Sequence, residues 1–190
     1  MSTFLPKDYK APSDNKYFKL RDGENRFRVL SSAIVGMEYW KTVDGGRKPI
    51  RKRQGENIEV SELEVDKNGE LQKAKHFWSF VAYNYQDKAI QILELTQKTI
   101  QQAITAYVKN PKWGDPKEYD IIITRAGEGF DTVYTVTVDP KEKLDGGIEQ
   151  LYKDTPINLE ALFDGADPFA SEVEKVFTPD SVADDIAKEV

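Results

Sequence analysis

The chain has 190 residues, of which 39% are hydrophobic and 32% are charged, and it contains no Cys. It lacks the apolar run that a membrane-spanning helix needs, and without Cys it can form neither a disulfide framework nor a thiolate metal site. Its net charge of -6 is unevenly distributed, since residues 1–53 carry +7, residues 54–138 carry -4 and residues 139–190 carry -9.

The first half of the chain is predicted to begin with a loose arm, residues 1–16, followed by β-strands. The stretch "NRFRVLSSAIVGMEYW" predicts a strand from about Asn25, a kink near Gly36 and a second strand through Trp40. Next, "KTVDGGRKPIRKRQGEN" combines a turn, a proline and six basic residues. We interpret this stretch as an excursion from the core rather than as one of its elements.

The strand predicted over residues 75–86, "KHFWSFVAYNYQ", follows a turn signal, "KNGE", and carries aromatic residues on both faces. The two-residue period places Trp78 and Phe80 on one face, which we assign to the core, although alternation alone leaves the reverse assignment open. The opposite face is free for another role, and its aromatic residues are Phe77, Tyr83 and Tyr85.

The second half of the chain contains the clearest helix. A strand, "KAIQILEL", precedes "TQKTIQQAITAYVKNP", whose apolar residues from Ile100 to Val108 form one stripe, with Thr96 as the expected cap and Pro111 after its end. "EYDIIITR" and "FDTVYTVTV", joined by "AGEG", predict a hairpin. An acidic end follows, in which "INLEALF" is apolar enough to pack and a short helix is expected from Thr178.

This order of elements predicts a mainly β protein: a five-stranded Greek-key barrel of the oligonucleotide-binding (OB) type, with one helix between strands. An acidic C-terminal extension with short helices would follow. We expect the barrel over residues 1–155 and the extension, with a partner-docking role, over residues 156–190. A β-sandwich with one helix is the alternative.

No catalytic or cofactor motif is found in the sequence. His76 is the one histidine, so a Ser/His/Asp triad would depend on it alone. "RAGEGF" joins two predicted strands instead of opening a helix, which excludes a dinucleotide fingerprint. We therefore expect a protein that is not an enzyme and needs no cofactor or metal.

A basic first half interleaved with aromatic residues is typical of proteins that bind single-stranded nucleic acid. Such proteins need cations that follow the phosphates and aromatic faces that stack on bases. Solvated surface charge is the simpler explanation of the cations, and ordinary core packing that of the aromatics. The candidate DNA-binding residues are Arg26, Arg28, Tyr39, Trp40, Lys41, Arg47, Lys48, Arg51, Lys52, Arg53, Lys75, Phe77, Tyr83 and Tyr85.

Several blocks of the sequence resemble the single-stranded-DNA-binding proteins of tailed phages and prophages. They are "FRVLSSAIVGMEYW", "KPIRKR", "KHFWSFVAYNYQDKAIQILELTQKTIQQAI", "NPKWGDPKEYDIIITRAGEGFDTVYTV" and "INLEALFDGADPF", from about Phe27 to Phe169. The resemblance implies an OB fold, non-catalytic coating of replication or recombination intermediates, and a cytoplasmic location in the host cell. It also puts Trp40, "KPIRKR" and the aromatics of residues 77–85 on the DNA side. Some related phage proteins carry a Cys/His zinc module, which a chain without Cys does not share.

The resemblance further implies that the acidic C-terminal region contacts replication or recombination proteins. As a polyanion it could also compete with DNA for the basic residues. Two alternatives stay open: a protein-interaction or structural module whose basic patch binds an acidic partner, and single-stranded RNA binding, since stacking does not distinguish the sugar. The expected docking residues are Phe169, Phe177, Asp184, Asp185 and Ile186.

Overall fold

β-branched and aromatic residues at two-residue spacing form the long strands of this protein, as the sequence predicts. The computed structural model describes residues 15–170. Its strands are β1 (Tyr17–Phe18), β2 (Gly23–Val29), β3 (Ile34–Val43), β4 (Gly46–Arg53), β5 (Lys75–Asn84), β6 (Ala89–Leu95), β7 (Asp120–Ala126) and β8 (Val133–Val138). Two α-helices, α1 (Lys98–Lys109) and α2 (Gly146–Lys153), and several short 3₁₀ helices complete the described part.

All eight strands belong to one mixed sheet with the order β1-β6-β5-β2-β7-β8, and β3 pairs with both β4 and β5. Strands β2 and β3 share one edge of β5, because β2 pairs with residues 82–84 and β3 with residues 75–79. The pairing of β1 with β6 is parallel and the others are antiparallel. Within residues 15–170 the sheet does not close, so the mainly β prediction is confirmed while the closed five-stranded barrel is not found.

The inner face of the sheet carries the main core. Phe27, Phe80 and Ile121 are buried there together with Ile100 and Ile104 of α1, and Trp78 packs against this cluster. The assignment of Trp78 and Phe80 to the core is therefore confirmed. Helix α1 lies on this face because its apolar stripe needs an apolar partner surface.

The outer face of the sheet is also covered, by the C-terminal segment, which we define as residues 144–169. Val81, Ile90 and Leu30 are buried in a second cluster, and side chains of the C-terminal segment pack against it. In the 3₁₀ helix Leu159–Asp164, Leu162 is buried. The expectation that "INLEALF" packs on the sheet is confirmed. The side chains packed on this second cluster are Tyr83, Leu144, Ile148, Tyr152, Ile157 and Leu159.

Several sequence-based boundaries are wrong in detail. The break between the first two long strands lies at residues 30–33, so Gly36 is inside β3. The predicted excursion is a regular β3–β4 hairpin, in which Pro49 is tolerated because, within residues 15–170, β4 pairs only with β3. Helix α1 begins after Gln97 rather than after Thr96.

The last residues of the predicted arm are tied to the sheet. Asn15 donates a hydrogen bond from Nδ2 to Asp87 at 2.7 Å, and the Lys16 carbonyl accepts one from the Ile92 amide at 2.9 Å. The short strand β1 continues from them along β6. Within residues 15–170 no helix has the length and apolar character to cross a membrane.

Candidate functional site

The β3–β4 hairpin projects past the end of β5, because their pairing ends at Glu38 opposite Lys75. Beyond that point, backbone amides of β3 donate hydrogen bonds to side chains instead of to a neighbouring strand. The Trp40 amide donates to Gln72 Oε1 at 3.0 Å, and the Thr42 amide donates to Glu64 Oε1 at 2.6 Å. Residues 64–72, which include the predicted "KNGE" turn, therefore dock along this edge.

Cations concentrate at the projecting end of this hairpin. Lys41 lies directly opposite Lys48, and Thr42 lies opposite Arg47. Lys41, Arg47 and Lys48 form no ion pair with any other residue of 15–170. Like charges placed opposite each other in a sheet are destabilising, so a bound anion would relieve this repulsion.

A cavity of about 460 Å³ opens beside the hairpin, and we call it the hairpin groove. Trp40 is 41% exposed at its wall, which leaves its indole accessible for stacking. The groove combines cations with carboxylates, so it is a mixed rather than a uniformly basic surface. Its lining residues are Glu38, Tyr39, Trp40, Arg47, Asp66, Glu70, Leu71, Gln72, Lys73 and Lys75.

Glu38, at the bottom of this groove, is a buried carboxyl group with a high pKa. Burial, followed by a hydrogen bond to Glu94, raises the pKa of Glu38 from 4.5 to about 8, although nearby Arg51 and Lys75 lower it. Its Oε2 lies 3.1 Å from Arg51 Nε, while Arg51 Nη2 lies 2.6 Å from Glu94 Oε2. At neutral pH Glu38 is therefore mainly uncharged and does not repel a phosphate.

The cations at the end of β4, at the base of the hairpin, are already paired. Arg51 bridges Glu38 and Glu94, and its side chain is only 10% exposed. Lys52 lies 3.2 Å from Glu62, and Arg53 lies 3.0 Å from Glu160. Of the predicted cluster of residues 47–53, only the part nearest the tip is free to meet a phosphate in this conformation.

Phe77 does not present the exposed aromatic face that the strand pattern predicts. It is 0% exposed, since Phe163 of the C-terminal segment lies over it with ring centroids 6.0 Å apart and Arg51 lies 5.7 Å from its ring. Gly36 makes this packing possible, because a Cβ there would come within 3.1 Å of the Phe77 ring. The expectation of an exposed Phe77 is wrong because alternation identifies a face and not what covers it.

Tyr39 is also buried, against the expectation that it offers a stacking surface. Its hydroxyl donates a hydrogen bond to Glu62 Oε1 at 3.1 Å. Burial, and then the hydrogen bond to Glu62, raises the pKa of Tyr39 to about 12. Tyr39 and Trp40 point to opposite faces of β3, and only Trp40 is exposed there.

Arg26, Arg28, Tyr83 and Tyr85 form a separate cluster near the other end of β5. Arg26 and Arg28 both bind the carboxylate of Asp120, at 2.7 and 2.6 Å, and Arg28 is 2% exposed. The Tyr85 hydroxyl donates to the same carboxylate at 3.0 Å, and the Arg26 guanidinium lies 4.9 Å from the Tyr85 ring. The charge of Arg28 is therefore buried and compensated inside the protein in this conformation, and its contact with DNA stays a prediction.

The predicted docking residues fall partly outside the described range. Phe169 packs edge-on against Tyr17 with ring centroids 6.1 Å apart, and Lys16 Nζ lies 5.2 Å from the Phe169 ring. This contact uses at least part of the Phe169 surface inside the fold. Phe177, Asp184, Asp185 and Ile186 lie beyond residue 170, outside the described residues.

Two further exposed features do not follow from the sequence pattern, one at the hairpin groove and one in the β7–β8 turn. Lys73 enters the hairpin groove with Leu71, and the turn signal at residues 67–70 could have indicated that the chain folds back there. Phe130 is fully exposed in the turn between β7 and β8. It stands between Glu128 and Asp131, whose charges disfavour an approaching phosphate.

A curated protein of Escherichia phage T5, named a probable ssDNA-binding protein, is similar to this chain. The two are 29% identical over 140 residues, which covers 64% of this chain and 54% of the phage protein. The chain therefore spans about half the length of the curated relative it matches. This similarity confirms the resemblance to phage single-stranded-DNA-binding proteins that the sequence blocks indicate. No family model matches the chain, and no solved structure matches it.

Proposed function

We propose that this chain binds single-stranded DNA without sequence preference and protects it during phage replication or recombination. The observation that carries the proposal is the exposed indole of Trp40 with Arg47 on the same face of the β3–β4 hairpin, and Lys41 opposite Lys48 on its other face. These three cations form no ion pair with another residue of 15–170. Similarity to a phage protein named as a probable ssDNA-binding protein supports the same activity. The proposed role is binding, with no catalytic step.

The proposed mechanism combines phosphate contacts with stacking. Phosphates bound by the hairpin cations release their condensed counterions, which makes the affinity depend strongly on salt. A base stacked on the Trp40 indole contributes about 1–3 kcal/mol whatever its identity, because every base has a π-face. A strand held in this way cannot form hairpins of its own.

An OB-type architecture is part of the proposal. In support, β2 pairs on its two edges with β5 and β7, and α1 lies between β6 and β7 in the chain, as a helix does between the third and fourth strands of that fold. In this scheme β2 with β3 is the long bent first strand. Residues 44–74 are then the long loop before the second strand, a position that OB folds use for oligonucleotides.

The test is a titration of Trp fluorescence with oligo-dT at several salt concentrations, with oligo-U and duplex DNA as further ligands. Replacing Lys41, Arg47 and Lys48 by Ala should reduce the slope of log K against log salt by about 2, since each phosphate contact contributes about 0.7. The matched control replaces three exposed lysines elsewhere, Lys19, Lys98 and Lys109, and should keep the slope.

Four outcomes would contradict the proposal. Equal losses in both triple variants would mean that only total charge matters, and tighter binding of duplex would contradict single-strand binding. A preference for oligo-U would identify an RNA-binding protein. Binding of an acidic protein without any oligo-dT binding would support the interaction module instead.

A further inference from the structure

Arg53 and Phe77 flank Gly36 on the outer face of the sheet, next to the hairpin groove. Gly36 of β3 pairs with Arg53 on one side and with Phe77 on the other, so the three positions form one cross-strand row. Because Gly36 has no side chain, the row is a shallow depression between a guanidinium and an aromatic ring. Residues at such paired positions share one face of the sheet.

Two side chains of the C-terminal segment fill this depression. The Phe163 ring lies 4.5 Å from the Arg53 guanidinium carbon, and its centroid lies 6.0 Å from that of Phe77. The Glu160 carboxylate lies 3.0 Å from Arg53 Nη2. An aromatic ring and an anion thus occupy the positions that a base and a phosphate need.

We propose that Arg53 and Phe77 form a nucleotide-binding subsite, which Phe163 and Glu160 occupy in this structure. The ligand is one nucleotide of a single strand, with its base between Phe77 and Arg53 and its phosphate on Arg53. This inference rests on the proposed function and adds a subsite to the proposed DNA-binding site. Bound DNA and the docked Leu159–Asp164 helix then exclude each other at this position.

The subsite continues the hairpin groove along the same strand. Trp40 and Gly36 are four residues apart in β3, which corresponds to about 13 Å along one face of the sheet. Lys75 lies between them, opposite Glu38. An aromatic surface at each end and a cation between them suit a strand that passes from Trp40 to Phe77.

The contacts that hold Phe163 and Glu160 are of a kind that DNA can displace. The side chains of the Arg53–Glu160 pair are 50% and 60% exposed, and an exposed pair of this kind contributes little and is screened by salt. The covering element is a 3₁₀ helix without a side-chain cap, and the hydrogen bonds of such helices have poor geometry. The rest of the C-terminal segment can stay bound, since Leu144, Ile148 and Tyr152 pack on the second cluster farther along the sheet.

The test combines hydrogen exchange with two substitutions in the full chain. In the wild type, oligo-dT should make the amides of residues 159–164 exchange faster, while the exchange rates of the α2 amides should not change. Glu160→Gln should tighten oligo-dT binding at low salt by up to about fivefold, the range that one exposed ion pair allows. Phe163→Ala should also tighten binding, and adding Arg53→Ala to it should remove the gain.

The matched controls lie on α2 of the same segment. Glu149→Gln removes an exposed carboxylate paired with Lys153 at 2.8 Å, and Leu151→Ala removes an exposed apolar side chain. Neither should change oligo-dT binding. If Phe163→Ala does not fold, the exchange experiment on the wild type and Glu160→Gln still decide the question.

The outcomes separate this inference from the function on which it rests. If neither the wild type nor any variant binds oligo-dT, the proposed function fails. Suppose instead that the wild type binds oligo-dT, but exchange at residues 159–164 is unchanged and Glu160→Gln behaves like Glu149→Gln. The proposed subsite is then wrong, and the proposed DNA-binding site is limited to the hairpin groove.

Discussion

Arg51 lies close to two carboxylates at once, and one of them, Glu38, lines the hairpin groove. Its guanidinium lies between buried Glu38 and partly buried Glu94, and one cation cannot fully compensate both carboxylates. Glu38, the more deeply buried of the two, keeps its proton, so the cluster as a whole is close to neutral. The same proton makes the stability of the fold depend on pH.

Glu38→Gln should remove most of this pH dependence. The pKa of Glu38 is about 8 in the folded chain and near its ordinary 4.5 when unfolded, so between these values the folded state holds a proton that the unfolded state has lost. Raising the pH through this window should lower the free energy of unfolding, by at most about 1.4 kcal/mol per pH unit. Urea unfolding from pH 5 to pH 9 measures this slope.

The control for this prediction is Glu24→Gln, which changes an exposed carboxylate of β2. It should leave the pH dependence as in the wild type. An equally steep loss of stability in Glu38→Gln would show that another group is responsible.

Two tryptophans should respond in opposite ways to replacement by Ala. Trp40→Ala removes the exposed indole and should weaken oligo-dT binding by about 1–3 kcal/mol with little change in melting. Trp78→Ala removes a ring packed on the main core and should cost about 3 kcal/mol of stability, the lower end for such changes because the ring is only partly buried. Thermal melts and binding curves on both variants test the pair, and the reverse pattern would mean that the two faces are assigned backwards.

At the scale of elements, the β3–β4 hairpin contributes a wall of the hairpin groove. It also contributes Gly36 and Arg53 to the cross-strand row that Phe163 covers. Its turn at Asp44 and Gly45 has φ values of 51° and 76°, as a tight two-residue hairpin turn requires. Its other end must approach β5 closely at Gly36, where any side chain would contact both the Lys52 carbonyl of β4 and the Phe77 ring of β5. The hairpin is therefore closely packed against β5 where it joins the sheet.

Gly36→Ala should destabilise this junction by about 1–3 kcal/mol, the usual cost of overpacking. A Cβ at Gly36 would overlap the Lys52 carbonyl oxygen and press on the Phe77 ring. Gly46→Ala is the control, because a Cβ there would meet only the Val43 carbonyl oxygen at 3.8 Å. The melting temperatures of both variants test this prediction. Equal values would mean that the junction accommodates the added Cβ without loss of stability.

At the scale of the whole molecule, part of the acidic extension predicted over residues 156–190 packs on the sheet. Residues 144–169 cover the outer face and belong to the packed structure, with Leu162 and Pro168 buried. The Asn158 amide donates to the Pro168 carbonyl at 2.8 Å, so a truncation before Asp164 would remove part of this packing. A cleaner boundary for testing the acidic end lies after Ala170.

Deleting residues 171–190 removes a net charge of -4 and should leave the melting temperature unchanged. The truncated chain should bind oligo-dT more tightly at low salt, and the gain should vanish at high salt, because the removed segment is a polyanion. Calorimetry and titrations at two salt concentrations test both statements. A drop in melting temperature would assign the segment to the packed structure, and unchanged affinity would exclude the competition.

The sequence by itself determined the mainly β class, the position of the one long helix, the core role of Trp78 and Phe80, and the concentration of basic residues between Lys41 and Arg53. These features follow from local periodicity and local charge, which the chain carries in any conformation. Only the tertiary structure decided which candidates remain exposed. Phe77 and Arg28 have the right residue type on the expected face, yet Phe163 covers one and Asp120 compensates the other. Such partners lie about 90 residues away in the chain, and no local pattern records which distant segment will cover a face.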